Sequence, residues 1–192
     1  MTGKVEIVNL ALARLGDMLI QDLEEGSAAA NQAKLFYEPS RRAVLRDFNW
    51  NFALKIDRLA LLEDRPLDFN FAYALPADCL KAIRLRRRGA RDYGEEDPGE
   101  RFVLRSGTVC TDAKEAYLEY VRDVSDETEF DDKFIEAFSY KLAAELAAPL
   151  TGRFDLMNSF LNAYTVLVRE AATLSARENR RILPENPYVE AR

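Results

Sequence analysis

The stretch FAYALPADCLKAIRLRRRG, residues 71–89, holds two extended runs with a break between them. Phe69, Phe71, Tyr73 and Leu75 alternate with Asn70, Ala72 and Ala74, the two-residue repeat that sends successive side chains to opposite faces of a strand. Pro76-Ala77-Asp78 ends that run, and a second follows from 80 to 88. FAYALP and LKAIRL therefore read as two strands of an inserted sheet joined at that turn, with Cys79 and Leu80 as packing residues. Continued outward, the period of two puts Arg84, Arg86 and Arg88 on one face and Ile83 and Leu85 on the other.

The charge at the end of this strand is one-signed. Between 81 and 91 stand Lys81, Arg84, Arg86, Arg87, Arg88 and Arg91, with no acid. Two readings stay open: an electrostatic surface for phosphate or an acidic protein partner, or a solvated strand face that charge protects from edge pairing.

Strand signals continue beyond the run. DYGEEDPGE (92–100) is acidic and rich in turn residues, hence a surface loop; RFVLRSGTVCTD (101–112) predicts a hairpin turning at Ser106-Gly107; KEAYLEYV (114–121) alternates again. Residues 52–123 thus predict an antiparallel β unit.

Helical periods flank it on both sides. Val5, Val8, Leu12 and Leu15 predict a helix over 3–15 that stops at Gly16. After Gly26-Ser27, the residues Ala33, Phe36, Tyr37, Val44 and Phe48 predict a second, with a kink or restart at Pro39. Residues 123–132 carry six acids and no base, and Thr128 or Asp131 can cap the helix that follows. Phe134, Phe138, Leu142 and Leu146 form its face, and Thr151-Gly152 closes it. From Phe154, the positions Met157, Phe160, Leu161, Tyr164, Leu167, Ala171 and Leu174 trace the longest and clearest amphipathic pattern in the chain. NRRILPENPYVEAR (179–192) has two prolines and little core material, and predicts an extended tail. The fold class is α+β: a four-helix bundle from 1–51 and 124–178, a β-rich insertion at 52–123, and a C-terminal tail.

Composition narrows the chemistry. With 192 residues, 48% apolar and 31% charged, the chain has the balance of a globular protein with a substantial core. No apolar run approaches the roughly 18 residues of a membrane helix, and Glu6 interrupts the apolar start, so a cytoplasm-like compartment is expected. The absence of histidine removes Ser-His-Asp and Cys-His catalysis and histidine metal sites. Two cysteines, Cys79 and Cys110, are too few for a zinc centre or a disulfide scaffold, and read as small apolar residues. The acidic segments lack the ligand pattern of a calcium loop. No cofactor, metal or catalytic residue is expected. Trp50 and Phe52, where helix gives way to sheet, read as the seal of that joint. A net charge of −6 argues against gripping nucleic acid over the whole surface, although a local basic patch remains compatible with it.

NLALARLGD, YEPSRRAVLRDFNWNFAL, FAYALPADCLKAIRL and YLEYVRDVSDETEFDDKFIEAFSYKLAAELA occur here in an order that resembles the head-to-tail adaptor family of tailed phages. That family includes the tail tubular protein A and packaged-DNA stabilisation proteins of short-tailed phages. The resemblance covers most of residues 5–178 and is most specific in WNFA, LPADCL and FDDKF. It implies a structural virion protein without catalysis, a helical bundle with a β-rich insertion. Such subunits form a ring, commonly of twelve copies, between the portal and the tail nozzle or tube, through which DNA passes without sequence-specific contacts. It also implies a C-terminal segment that reaches the portal, here Ile182, Leu183, Pro184, Pro187 and Tyr188. Arg84, Arg86, Arg87, Arg88 and Arg91 are then expected at a subunit or partner interface. The alternatives are a DNA-binding accessory protein using the 81–91 run, or a cell-wall hydrolase using two carboxylates; no spacing in the sequence picks out such a pair.

Overall fold

The computed structural model describes residues 3–63, 66–86 and 99–178, with side chains described through Ser175 in the last helix. Helix α1 (Lys4–Leu15) ends at Gly16, whose φ of 69° is the left-handed conformation that glycine adopts without a Cβ penalty. The side chain of Asn9 then clamps the loop, accepting from the Ile20 amide and donating to the Ile20 carbonyl, both at 2.9 Å. Ser27 caps α2 (Ala28–Asp47) by accepting from the Ala30 amide at 3.1 Å.

The restart expected at Pro39 does not occur: α2 runs through it as one helix. Pro39 is exposed, as is Leu35, whose carbonyl loses its amide donor, so water can satisfy that group.

A single turn after Trp50 leads into β1 (Leu54–Arg58), then come β2 (Phe71–Ala74), β3 (Cys79–Arg86), β4 (Phe102–Arg105), β5 (Thr108–Thr111) and β6 (Tyr117–Arg122). They form two antiparallel sheets of three strands, ordered β1-β6-β3 and β2-β5-β4. The turn at Pro76-Ala77-Asp78 therefore does not join two strands of one sheet, as the alternation predicts, but passes the chain from one sheet to the other. The β4-β5 hairpin turns at Ser106 and Gly107, with φ of 47° and 77°, as expected.

Asp131 caps α3 (Asp132–Thr151), accepting from the Phe134 amide at 2.6 Å, and Gly152, with φ of 68°, closes it before α4 (Phe154–Glu178). Helices α1, α2 and α4 each pack on α3. Phe134, Phe138, Leu142 and Leu146 are all fully buried.

Two cores result. The larger joins the helices to Leu54, Leu80, Ile83 and Val121 of the first sheet. The smaller lies between the sheets and gathers Leu85, Leu118 and Tyr120 from one with Tyr73 and Val109 from the other. The β1-β6-β3 sheet is thus the middle layer, with a core against each face. No helix among the described residues is long and apolar enough to cross a membrane.

Candidate functional site

The basic strand is the first place to look, and its described half is already engaged. Arg84 and Arg86 do share a face, on which both reach Glu119 of the neighbouring strand β6, at 3.0 and 2.7 Å. The Arg86 side chain is only 14% exposed. Gly99 packs against this strand: a Cβ there would stand 2.7 Å from Arg84 Cγ and 2.8 Å from the Leu85 carbonyl. The Glu100 amide donates to that same carbonyl at 2.8 Å. At the other end, the Lys81 ammonium donates to the Arg46 carbonyl at 2.9 Å and to Asn49 Oδ1 at 3.2 Å, closing the C-terminus of α2 where a cation is favoured. Arg46 in turn donates to the Leu80 carbonyl at 3.0 Å. Lys81, Arg84 and Arg86 therefore hold the sheet to itself and to α2. Arg87, Arg88 and Arg91, and the tail residues Ile182, Leu183, Pro184, Pro187 and Tyr188, lie outside the described residues.

A second constellation was not visible in the sequence. The Tyr120 hydroxyl lies 3.0 Å from Asp57 Oδ2 and 2.9 Å from Asp78 Oδ1, and the Lys55 ammonium lies 2.7 Å from Asp57 and 3.5 Å from Asp78. Lysine, tyrosine and two carboxylates are the residue types from which a histidine-free active site would be built. Their titration runs the wrong way for the lysine or the tyrosine to act as a base. Burial, then the Asp78 and Asp57 carboxylates, push the Tyr120 phenol well above its ordinary pKa. The hydrogen bond to Asp57, then that to Tyr120, raises the Lys55 ammonium. Both groups keep their protons at neutral pH, so neither is a base there. The cluster instead ties β1 and the Pro76-Ala77-Asp78 turn together across β6.

The third is an ion-pair network around one buried arginine. Arg41 is 3% exposed, and its guanidinium pairs with Glu38 at 2.7 Å, with Asp123 at 2.7 Å, and with the Val124 carbonyl. Arg42 holds the other oxygen of Asp123. Burial alone would raise the Asp123 pKa, but the hydrogen bonds from Arg42 and Arg41 outweigh it and hold the carboxyl below its ordinary value. Tyr37 adds a bond to Glu127 at 3.2 Å, and its phenol is pushed up by burial and by that carboxylate. This network locks α2 onto the segment that leads from the sheet to α3. The sequence carried a signal for it, since Tyr37, Arg41 and Val44 follow one another at helical spacing on the buried face.

Trp50 and Phe52 sit between the end of α2, the start of β1 and the first turn of α3. The Trp50 ring meets Phe48 at 5.0 Å and Phe134 at 5.2 Å, both edge to face, and Phe52 meets Phe134 at 5.2 Å. The indole N–H donates to the Val44 carbonyl at 2.9 Å, satisfying one of the carbonyls that the end of α2 leaves open. Cys110 is buried and Cys79 half-buried, both free thiols; burial, then Asp78, raises the Cys79 thiol, which keeps it protonated. Among the described residues, no group of three or more Cys, Asp or Glu side chains is placed to hold a metal ion.

No protein-family model matches the chain, and no curated protein matches it significantly.

Proposed function

We propose that the protein is a structural head-to-tail connector subunit that assembles into a ring between portal and tail, through which DNA passes. The observation that carries this reading is the arrangement of the layers. A helical layer, proposed here to be a four-helix bundle, is interrupted after α2 by a β-rich insertion and resumes in α3, the helix on which the others pack. That is the architecture the resemblance implies, and the motifs that carry the resemblance fall at its joints. WNFA is the aromatic seal at the start of β1, LPADCL is the turn between the two sheets, and FDDKF opens α3 with its capping aspartate.

Apolar surface adds support. Met18 and Leu19 stand well exposed in a loop that Asn9 holds fixed, and Leu35, Phe154 and Val166 are exposed on helices. A ring joins unlike patches of the same subunit around a closing rotation, and fixed apolar side chains of this kind suit such contacts. With Arg84 and Arg86 engaged by Glu119, these residues are the better proposal for subunit contacts than the described part of the basic strand.

Light scattering and negative-stain microscopy of the chain with and without its portal provide the test. The expected result is a ring on the portal; a chain that stays monomeric and never binds portal overturns the reading.

A further inference from the structure

We propose that the C-terminal segment of this chain docks in cis into a groove beside Trp50. The groove has a volume of about 290 Å³ and lies between the end of α2, the start of α3 and the last turns of α4. Phe48, Trp50, Ala171 and Leu174 line it with apolar groups, beside Asp131, Asp132 and Lys133. Leu174 is 42% exposed there, a large apolar side chain one turn beyond the buried Ala171.

The occupant is argued from where the chain goes next. Helix α4 ends at Glu178, three residues beyond the groove-lining Ser175, and residues 179–192 follow. Those three residues carry the helix only about 4.5 Å past the groove, whereas four extended residues reach about 13 Å. Residues 179–182 are therefore enough to turn back and bring Ile182 and Leu183 over the apolar lining. The sequence suits that path: Arg180 and Arg181 come first, and Ile182, Leu183 and Pro184 follow. Docking would bury the aliphatic pair against the apolar lining. Direct tethering raises the local concentration of the segment to about the millimolar range, which favours the cis contact over the same segment from another copy. The inference stands on the groove and the segment beside it, independently of the connector reading.

Hydrogen exchange on the full chain tests it, against full chains carrying Ile182→Asp with Leu183→Asp, or Leu174→Asp. In the wild type, amides of residues 179–186 should exchange several-fold more slowly than in a free peptide, equally at low and high protein concentration. Either variant should abolish that protection and speed exchange at residues 48–51. Because Leu174 is partly exposed and Ile182 and Leu183 lie beyond the last helix, loss of the whole fold is not expected, and exchange in α3 reports on it directly. Free-peptide rates in the wild-type segment overturn the proposal. Protection that grows with protein concentration overturns it in favour of docking between copies.

Discussion

Helices α3 and α4 are neighbours of similar length, yet they are built on opposite plans. The buried residues of α3, among them Phe134, Phe138, Ser139, Ala143 and Leu146, wrap its whole circumference. Among the described side chains of α4 only Tyr164 and Ala171 are buried, with Phe160, Leu167 and Val168 half-covered on the same side. The sharper amphipathic pattern in the sequence belongs to α4, and that is why α4 is peripheral: a one-sided stripe needs one neighbour. Alanine fills the remaining faces of α3, at Ala137, Ala143, Ala144 and Ala147, letting α1 and α2 approach it on sides that a periodicity search scores weakly. Clear periodicity marks the surface helix and blurred periodicity marks the hub.

The largest effect should come from cutting into the hub. Phe138→Ala removes a fully buried ring that meets Tyr37 and Phe134, at a cost of about 4 kcal/mol in denaturant unfolding. A loss below about 2 kcal/mol would mean that α3 is no better packed than its neighbour, since that is the range for a collapsible site.

Next is the lock that delivers the chain to α3. Arg41→Ala leaves Glu38 with Lys4 alone, Asp123 with Arg42 alone and the Val124 carbonyl without its donor, and should cost about 2 kcal/mol. The pH response separates charge from packing. Because the folded pKa of Asp123 is depressed, its contribution is present above the unfolded value of about 3.9 and is lost as pH falls through the folded one. The wild type should therefore lose more stability than Arg41→Ala on acidification below pH about 4. Parallel pH curves for the two proteins would show that Arg41 acts through packing.

These two sites also show how far the sequence could be read. Features set by neighbours along the chain were legible: the stop of α1 at Gly16, the hairpin at Ser106-Gly107, the capping Asp131 and the apolar face of α3. Partners distant along the chain were not. β2 and β3 each alternate, but nothing local says that β2 pairs with β5 and β3 with β6, so the split into two sheets stayed hidden. β1 escaped although LKIDR alternates: it is a five-residue edge strand whose apolar Ile56 is 52% exposed, while Lys55 and Asp57 reach Tyr120 of the neighbouring strand, a partner more than sixty residues away. The arginines at 84 and 86 share a face as the period of two requires, but Ile83 and Leu85, expected together on the other, pack into different cores across a bulge between Ala82 and Arg84, and Glu119, which takes the arginines, is more than thirty residues away in sequence. The joint at Trp50 was legible because a change of period and an indole coincide there.

Within α4 the anchor is Tyr164, whose hydroxyl donates to Asp47 Oδ2 at 2.7 Å and ties the helix to the end of α2. Burial, then that carboxylate, holds the phenol well above its ordinary pKa, so the bond persists across the neutral range. Tyr164→Phe keeps the ring and removes the donor, and should cost about 1 kcal/mol. A cost near that of Phe138→Ala would show α4 to be as integral as α3, and would erase the contrast.

The smallest effect should be at Val166, half-way along α4 and 53% exposed. Val166→Ser removes little buried area, so unfolding of the dilute chain should change by no more than about 0.5 kcal/mol. The value of the measurement lies in repeating it at rising protein concentration with the mass followed by sedimentation. If the outer side of α4 stays in water, the difference between the two proteins is the same at every concentration. If another copy covers it, the wild type gains stability with concentration and the variant gains less, because only the associated state buries the valine. In the isolated chain, without portal, we expect the first outcome: Asn162, Arg169, Glu170 and Thr173 are all exposed on this helix and dilute its apolar surface. A concentration-dependent gap would instead move α4 from the periphery of one subunit to the interior of an assembly, and would make its sharp stripe only half of its packing.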